Sequence, residues 1–112
     1  MKKLEIVIRP EKLEELKEIL EGSNANGLMI THIMGYGNQK GYKQIYRGNE
    51  TTVNLLPKIK VESVVTPEVA EVVIEKVLKA LNTGNYGDGK IFVYDVADVV
   101  RVRTGERGVE AL

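Results

Sequence analysis

The chain has no cysteine and no tryptophan, one histidine, one phenylalanine and three prolines in 112 residues. Without cysteine there is no disulfide, no thiolate nucleophile and no thiolate metal site. A lone His32 cannot build a multi-histidine zinc centre, and no Ser-His-Asp or comparable nucleophile set is assembled, so His32 reads as a sheet residue. One Phe gives few stacking platforms for nucleic acid. An excess of either charge is also missing. The 16 Lys and Arg balance 16 Asp and Glu, which argues against bulk neutralisation of a phosphate backbone. No apolar run approaches the roughly 18 residues of a membrane span, and the N-terminus has no signal-peptide apolar core. The expectation is one cytoplasmic domain over 1–112, long enough to bury a core, with 43% hydrophobic and 29% charged residues.

What is present is a repeat. Lys3-Leu4-Glu5-Ile6-Val7-Ile8-Arg9-Pro10-Glu11 and Lys60-Val61-Glu62-Ser63-Val64-Val65-Thr66-Pro67-Glu68 share five of nine residues at an offset of 57. Each is a short β-rich run ending in X-Pro-Glu. Proline presets φ for a first helical position and Glu favours the first turn. Thr66 is a good N-cap. The spacing predicts a helix over about 11–21, with Leu13, Leu16, Ile19 and Leu20 as its stripe and Gly22 as its stop. A second runs over about 67–82, with Ala70, Val73, Ile74, Val77, Leu78 and Leu81 as its stripe and Gly84 after it. Strands are predicted at the start of the chain, over 28–34, over 59–65 and over 90 to about 100. The order is β-α-β, long loop, β-α-β. It predicts an α+β ferredoxin-like βαββαβ sandwich, a four-stranded antiparallel sheet with both helices on one face. Both parities of the strands carry apolar residues, with Val7, Val64 and Phe92 opposite the helix-facing set. The open sheet face is therefore expected to be buried in an oligomer, or covered by the C-terminal tail.

Three segments carry candidate chemistry. The first is a loop of about 37–55 between the second and third strands, rich in Gly and Asn, with Lys40, Lys43 and Arg47 among Tyr36, Tyr42 and Tyr46. Loops of that length are usually functional. The second is Thr83-Gly84-Asn85-Tyr86-Gly87-Asp88-Gly89-Lys90, whose glycines can converge backbone N–H groups on an anion. Gly84-x-x-x-x-Gly89-Lys90 matches a P-loop only up to its last residue. Ile91 stands where Ser or Thr must hold magnesium, and a strand is expected where a helix must open. The third is Arg101-Val102-Arg103, where alternation along a strand puts two guanidiniums on one side, a candidate phosphate clamp. Gly35-Tyr36-Gly37 reads as a place where a ligand approaches the backbone.

These residues resemble the PII signal-transduction proteins of nitrogen regulation along the whole chain. The segment 83–96, with Gly87-Asp88-Gly89-Lys90-Ile91-Phe92-Val93 at its centre, resembles one family signature and Tyr46-Arg47-Gly48 another. Gly35-x-Gly37-x-Gln39-Lys40-Gly41, Leu56-Pro57-Lys58 and Arg101-x-Arg103-Thr104-Gly105 also match. The resemblance implies a homotrimeric regulator that senses ATP or ADP, with Mg2+ and 2-oxoglutarate, at clefts between subunits. It is not an enzyme in this reading, at most a weak ATPase. The long loop would dock on an ammonium transporter or another nitrogen-metabolism protein, which is the one route to a membrane, and nucleic acid is not a partner. Residue by residue it implies phosphate contacts from Gly87, Asp88, Gly89, Lys90, Arg101 and Arg103. Val7, Gly35, Gly37, Asn38, Gln39 and Val64 would line the nucleotide, with Gly27 and Met29 near the base. Gln39 would ligate magnesium and, with Lys40, Gly41, Lys58 and Gly87, hold 2-oxoglutarate. Lys40 could pair with Glu62, and Tyr46, Arg47 and Thr51 would meet the target. Thr51 stands where many members carry a uridylylated tyrosine and Asn49 where some carry a phosphorylated serine, so neither modification is expected. Asn38 and Met29 replace a frequent arginine and a frequent threonine. Two other classes compete: a small ATP-hydrolysing enzyme using the Gly-rich loop, and a ferredoxin-like nucleic-acid module.

Overall fold

The computed structural model describes residues 1–36, 43–46, 49–52 and 55–112. β1 (Lys2–Ile8) leads through a 3-10 turn (Pro10–Lys12) into α1 (Leu13–Gly22), and β2 (Met29–Gly35) follows. β3 (Lys43–Tyr46) and β4 (Asn49–Thr52) pair with each other. Then come β5 (Leu56–Val65), α2 (Pro67–Leu81), β6 (Lys90–Asp95) and a 3-10 turn (Gly108–Ala111). The main sheet has the order β2-β5-β1-β6, and its three pairings are antiparallel. This is the ferredoxin-like α+β fold.

Period-two alternation decides the two faces. Leu4, Ile6 and Ile8 of β1 and Ile59, Val61 and Val65 of β5 point to the helices and are buried. Leu16 and Leu20 of α1 and Ala70, Val73, Val77 and Leu81 of α2 close over them. Each such aliphatic side chain contributes about 1.5–3 kcal/mol through burial. The predicted stripes are the buried faces of both helices apart from Leu78, which is 59% exposed. α1 runs through Gly22, and the left-handed turn after it falls at Asn24, with φ 64°.

Four expectations change. The segment 37–55 is not loop throughout, because its 43–46 and 49–52 stretches form a short antiparallel pair. The first helix begins with 3-10 geometry, so α1 proper starts at Leu13 rather than Glu11. The last strand stops at Asp95, and beyond it only an isolated Val100–Arg107 bridge remains. The open sheet face is mixed rather than apolar. The β1–β5 register places Glu5 opposite Glu62, and Lys3 and Lys60 flank them with Nζ–Oε distances of 3.9 Å to Glu5 and 3.3 Å to Glu62. Lys3 Nζ also sits 4.6 Å above the Tyr94 ring. Val7, Val64 and Phe92 lie on that face, interleaved with charge. Among the described residues no helix is long and apolar enough to cross a membrane.

Candidate functional site: a braced glycine loop

The loop between α2 and β6 is tied by its own side chains. Asn82 Oδ1 accepts from Gly84 N–H at 2.8 Å. The Asp88 carboxylate accepts from the N–H groups of Thr83 at 2.7 Å and Gly84 at 3.1 Å, and from the Thr83 hydroxyl. Those hydrogen bonds, the Thr83 hydroxyl first, hold Asp88 below its ordinary 3.8, with help from the charge of Arg9. Gly84, Gly87 and Gly89 take φ of +80°, +93° and +112°. Gly89 has a second reason to be glycine, since a Cβ there would lie 1.8 Å from the Val7 carbonyl oxygen. The sequence Gly-Asp-Gly thus encodes two left-handed turns and a clamp between them.

Two cations grip the loop from the sheet. Arg9, the residue after β1, donates from Nη2 to the Tyr86 carbonyl at 2.6 Å and places Nη1 3.7 Å from Asp88 Oδ1. Lys58 of β5 donates from Nζ to the Gly87 carbonyl at 2.9 Å. Lys58 is buried, which together with the Arg9 charge lowers its ammonium pKa, while Glu11 and Asp88 act against that. A trans peptide points its N–H away from its C=O. With the 86 and 87 carbonyls drawn to Arg9 and Lys58, the N–H groups of Gly87 and Asp88 turn the other way. Gly87 N–H donates to no acceptor among the described residues, whereas Asp88 N–H leans back across the 85–88 turn toward the Asn85 carbonyl without reaching full hydrogen-bond geometry. An outward Gly87 N–H on a glycine turn, with the weakly held Asp88 N–H next to it, makes the start of an anion nest. Lys90 stands beside it at the start of β6, paired in register with Val7, and forms no ion pair among the described residues. The nest lines a cleft of about 390 Å³ whose other walls include Val7, Gly35, Lys58 and Phe92. Gly35 is where β2 passes the Lys58 stem, with its missing Cβ only 2.9 Å from Lys58 Cγ.

The nucleotide residues expected from the sequence fall into three groups. Val7, Gly35, Gly87, Asp88, Gly89 and Lys90 share this cleft, as does Lys58. Gly27, Met29 and Val64 line a different cleft, of about 570 Å³, walled also by Val69 and Leu112. The two lie at opposite ends of β2, which pairs Met29 with Glu62 and Gly35 with Leu56. Six steps of strand separate them by about 20 Å. Arg101 and Arg103 form the third group, and here the strand reading is corrected. Asp98 accepts from Val99 and Gly108 N–H at 2.8 and 3.1 Å and from Arg107 Nε at 2.8 Å, which folds the segment into a turn. Gly105, at φ +74°, caps it. Arg101 donates to Glu106 at 3.0 Å and to the Leu112 carbonyl at 3.1 Å, while Arg103 is exposed at the tip. The two guanidiniums do not share a strand face.

Gly37, Asn38, Gln39, Lys40, Gly41 and Arg47 lie outside the described residues, and with them the proposed Lys40–Glu62 pair. Tyr46 and Thr51 belong to β3 and β4. The near-P-loop leads into β6, a strand, as the rejection of that motif required. The sequence reading missed Arg9. Its one signal was position, for Arg9 stands where Thr66 stands in the repeat yet cannot cap a helix.

Comparison with known proteins gives this arrangement a family. The family model described as Nitrogen regulatory protein P-II matches residues 1–106. Over all 112 residues, and the full length of each relative, the chain is 50% identical to "Nitrogen regulatory protein P-II" of Rhizobium meliloti (strain 1021). It is 46% identical to the protein of the same name from Rhodospirillum rubrum, again over the full length of both. The solved structure of B. subtilis GlnK superposes with a TM-score of 0.80 at 39% identity, covering 99% of this chain and 97% of that one. These relatives carry the names of regulators rather than of enzymes. With a full-length match and the same βαββαβ architecture, the chain belongs to the P-II family of nitrogen regulatory proteins.

Proposed function

We propose that this protein is a cytoplasmic, homotrimeric sensor that binds ATP or ADP and 2-oxoglutarate and adjusts nitrogen metabolism through the 37–55 segment. The observation that carries the reading is the braced loop: the Tyr86 and Gly87 carbonyls held by Arg9 and Lys58, which leaves the Gly87 N–H facing outward beside Lys90. Preorganised backbone donors next to an ammonium suit a polyphosphate, since the donors are already aimed and little ordering is left for the ligand.

The distance between the two clefts supports a shared site. Gly87, Gly89 and Lys90 of one subunit hold the phosphates. Gly27, Met29 and Val64, about 20 Å away along the strand, serve a neighbouring site, and Arg101 and Arg103 reach phosphates from an adjacent copy. Lys58 offers a buried cation to a 2-oxoglutarate carboxylate, with Gly87 beside it. Among the described residues no cluster of three His, Cys, Asp or Glu side chains exists to cage a metal. Mg2+ fits without one, because it takes most of its ligands from phosphate and ligand oxygens, with Gln39 as a neutral protein ligand. Bound there, it would screen the repulsion between triphosphate and 2-oxoglutarate. Tyr46, Arg47 and Thr51, in or next to the β3–β4 pair, are the contacts offered to a target such as an ammonium transporter, the only approach to a membrane.

Calorimetry tests the reading. ATP and ADP bind the wild-type protein, and 2-oxoglutarate gives heat only with Mg2+ and ATP present. Absence of heat with both nucleotides, or binding of 2-oxoglutarate to nucleotide-free protein, overturns it. Light scattering is expected to give about three times the 12.5 kDa chain mass.

A further inference from the structure

We propose that Arg9 is a positioning residue for the phosphate-binding loop: its guanidinium fork holds the Tyr86 carbonyl and the Asp88 carboxylate together, so that the Gly87 N–H faces the cleft. The role rests on the nucleotide reading given above, but the brace itself does not.

Arg9 leaves β1 with extended backbone, φ −67° and ψ 143°, and spends no side-chain group on the helix that follows. Its side chain instead crosses to a loop 77 residues later and donates at 2.6 Å to Tyr86 O. Arg9 Nε is buried with no hydrogen-bond partner among the described residues. An unsatisfied buried donor costs free energy, and a side chain needed where it is explains why that cost is kept. The planar fork explains the choice of residue. One amino group meets a neutral carbonyl and the other lies 3.7 Å from a carboxylate that already closes the loop onto Thr83 and Gly84. A lysine ammonium, a point donor on a flexible stem, does not hold two acceptors in a fixed plane. With Lys58 on the next carbonyl, Arg9 fixes two successive peptide planes. Removing Arg9 frees the 86–87 peptide to rotate, and the nest loses the Gly87 N–H as an aimed donor.

Charge and position are separated by Arg9→Lys, which keeps the first and loses the second. Two measurements are made on the full-length protein. In ligand-free 15N–1H spectra of Arg9→Lys, the Gly87 and Asp88 amide signals move while those of 70–80 in α2 stay. By calorimetry, Arg9→Lys weakens ADP at least fivefold and Arg9→Ala at least tenfold. Wild-type ADP affinity in Arg9→Lys means that Arg9 acts by charge alone, and it overturns the inference. So do Gly87 and Asp88 amides that stay where they were. Failure of the nucleotide reading looks different, for then the wild type itself gives no ADP heat, while the ligand-free spectra still report whether Arg9 holds the loop.

Discussion

The two halves of the chain solve the same junction in different ways. Both end a strand in X-Pro-Glu, and the backbone at X is nearly the same: φ −67°, ψ 143° at Arg9 and φ −68°, ψ 157° at Thr66. Thr66 caps its helix by accepting from Val69 N–H at 3.3 Å, and α2 starts at once with Pro67. Arg9 caps nothing, and the chain spends Pro10–Lys12 in 3-10 geometry before α1 begins. A repeated element has kept its shape in both halves and its helix cap in only one. In the other, the capping position is occupied by the residue that braces the candidate site. A local rule broken beside a site is what function imposed on a fold looks like.

The largest expected effect lies on the braced side. Gly89→Ala adds a Cβ 1.8 Å from the Val7 carbonyl oxygen at φ +112°. The obstacle is backbone, so it cannot swing aside, and β1 and the loop must separate. A loss of about 3 kcal/mol or more in urea unfolding is expected, together with loss of ADP binding. No equivalent obstacle exists at the Thr66 junction, where Thr66→Ala removes one cap and is expected to cost about 1 kcal/mol with ADP affinity unchanged. If the two substitutions cost the same, the halves are not specialised as described.

Arg9→Thr sharpens the comparison by writing the second half's solution into the first. The extended backbone at residue 9 suits a capping hydroxyl, worth about 1 kcal/mol. The lost charge-assisted hydrogen bond to Tyr86 is worth about 1.5–3 kcal/mol. Stability is therefore expected to fall by only about 0.5–2 kcal/mol while ADP binding weakens. A large loss of stability in urea titration would show that Arg9 mainly holds the fold.

Both strand–helix units were legible in the sequence because their signals are local: proline after a β-rich run and a 3.6-residue stripe. The Gly-rich loop was legible for the same reason. The expected glycine stops were not the stops: α1 runs through Gly22 to a left-handed Asn24, and α2 ends at Leu81 before an extended Asn82. What escaped depends on distant partners. Arg9 is an unremarkable surface residue until Tyr86 and Asp88 arrive from the far side of α2. The Arg101–Arg103 alternation reads as strand, and only the Asp98 clamp on Arg107 and Gly108 turns it. The 43–46 and 49–52 strands have four residues each, too few for alternation to register. The charged ladder of Lys3, Glu5, Lys60 and Glu62 was visible as letters. Its meaning needed the register that sets Glu5 against Glu62.

The smallest effect is a titration, and it too should tell the halves apart. Asp88 is held below its ordinary 3.8, first by the Thr83 hydroxyl and then by the Thr83 and Gly84 amides and Arg9. A carboxylate with a depressed native pKa stabilises the fold above its unfolded pKa, and that contribution disappears as pH falls through the lower native value. Protonating Asp88 weakens its bonds to Thr83 and Gly84 and its attraction to Arg9, so the braced loop loosens only as pH falls through the native value, below the ordinary 3.8. Asp95 and Asp98 are shifted the same way, by Lys2 and Arg107, so global unfolding mixes all three. A local readout separates them. The Gly84 amide, bonded to Asp88, is expected to shift on acidification below 3.8. The Val69 amide, bonded to the neutral Thr66 hydroxyl, is expected to hold its position over the same range. In Asp88→Asn the Gly84 shift disappears. A Gly84 signal that still titrates in that variant would assign the acid response to another carboxylate and detach it from the Arg9 junction.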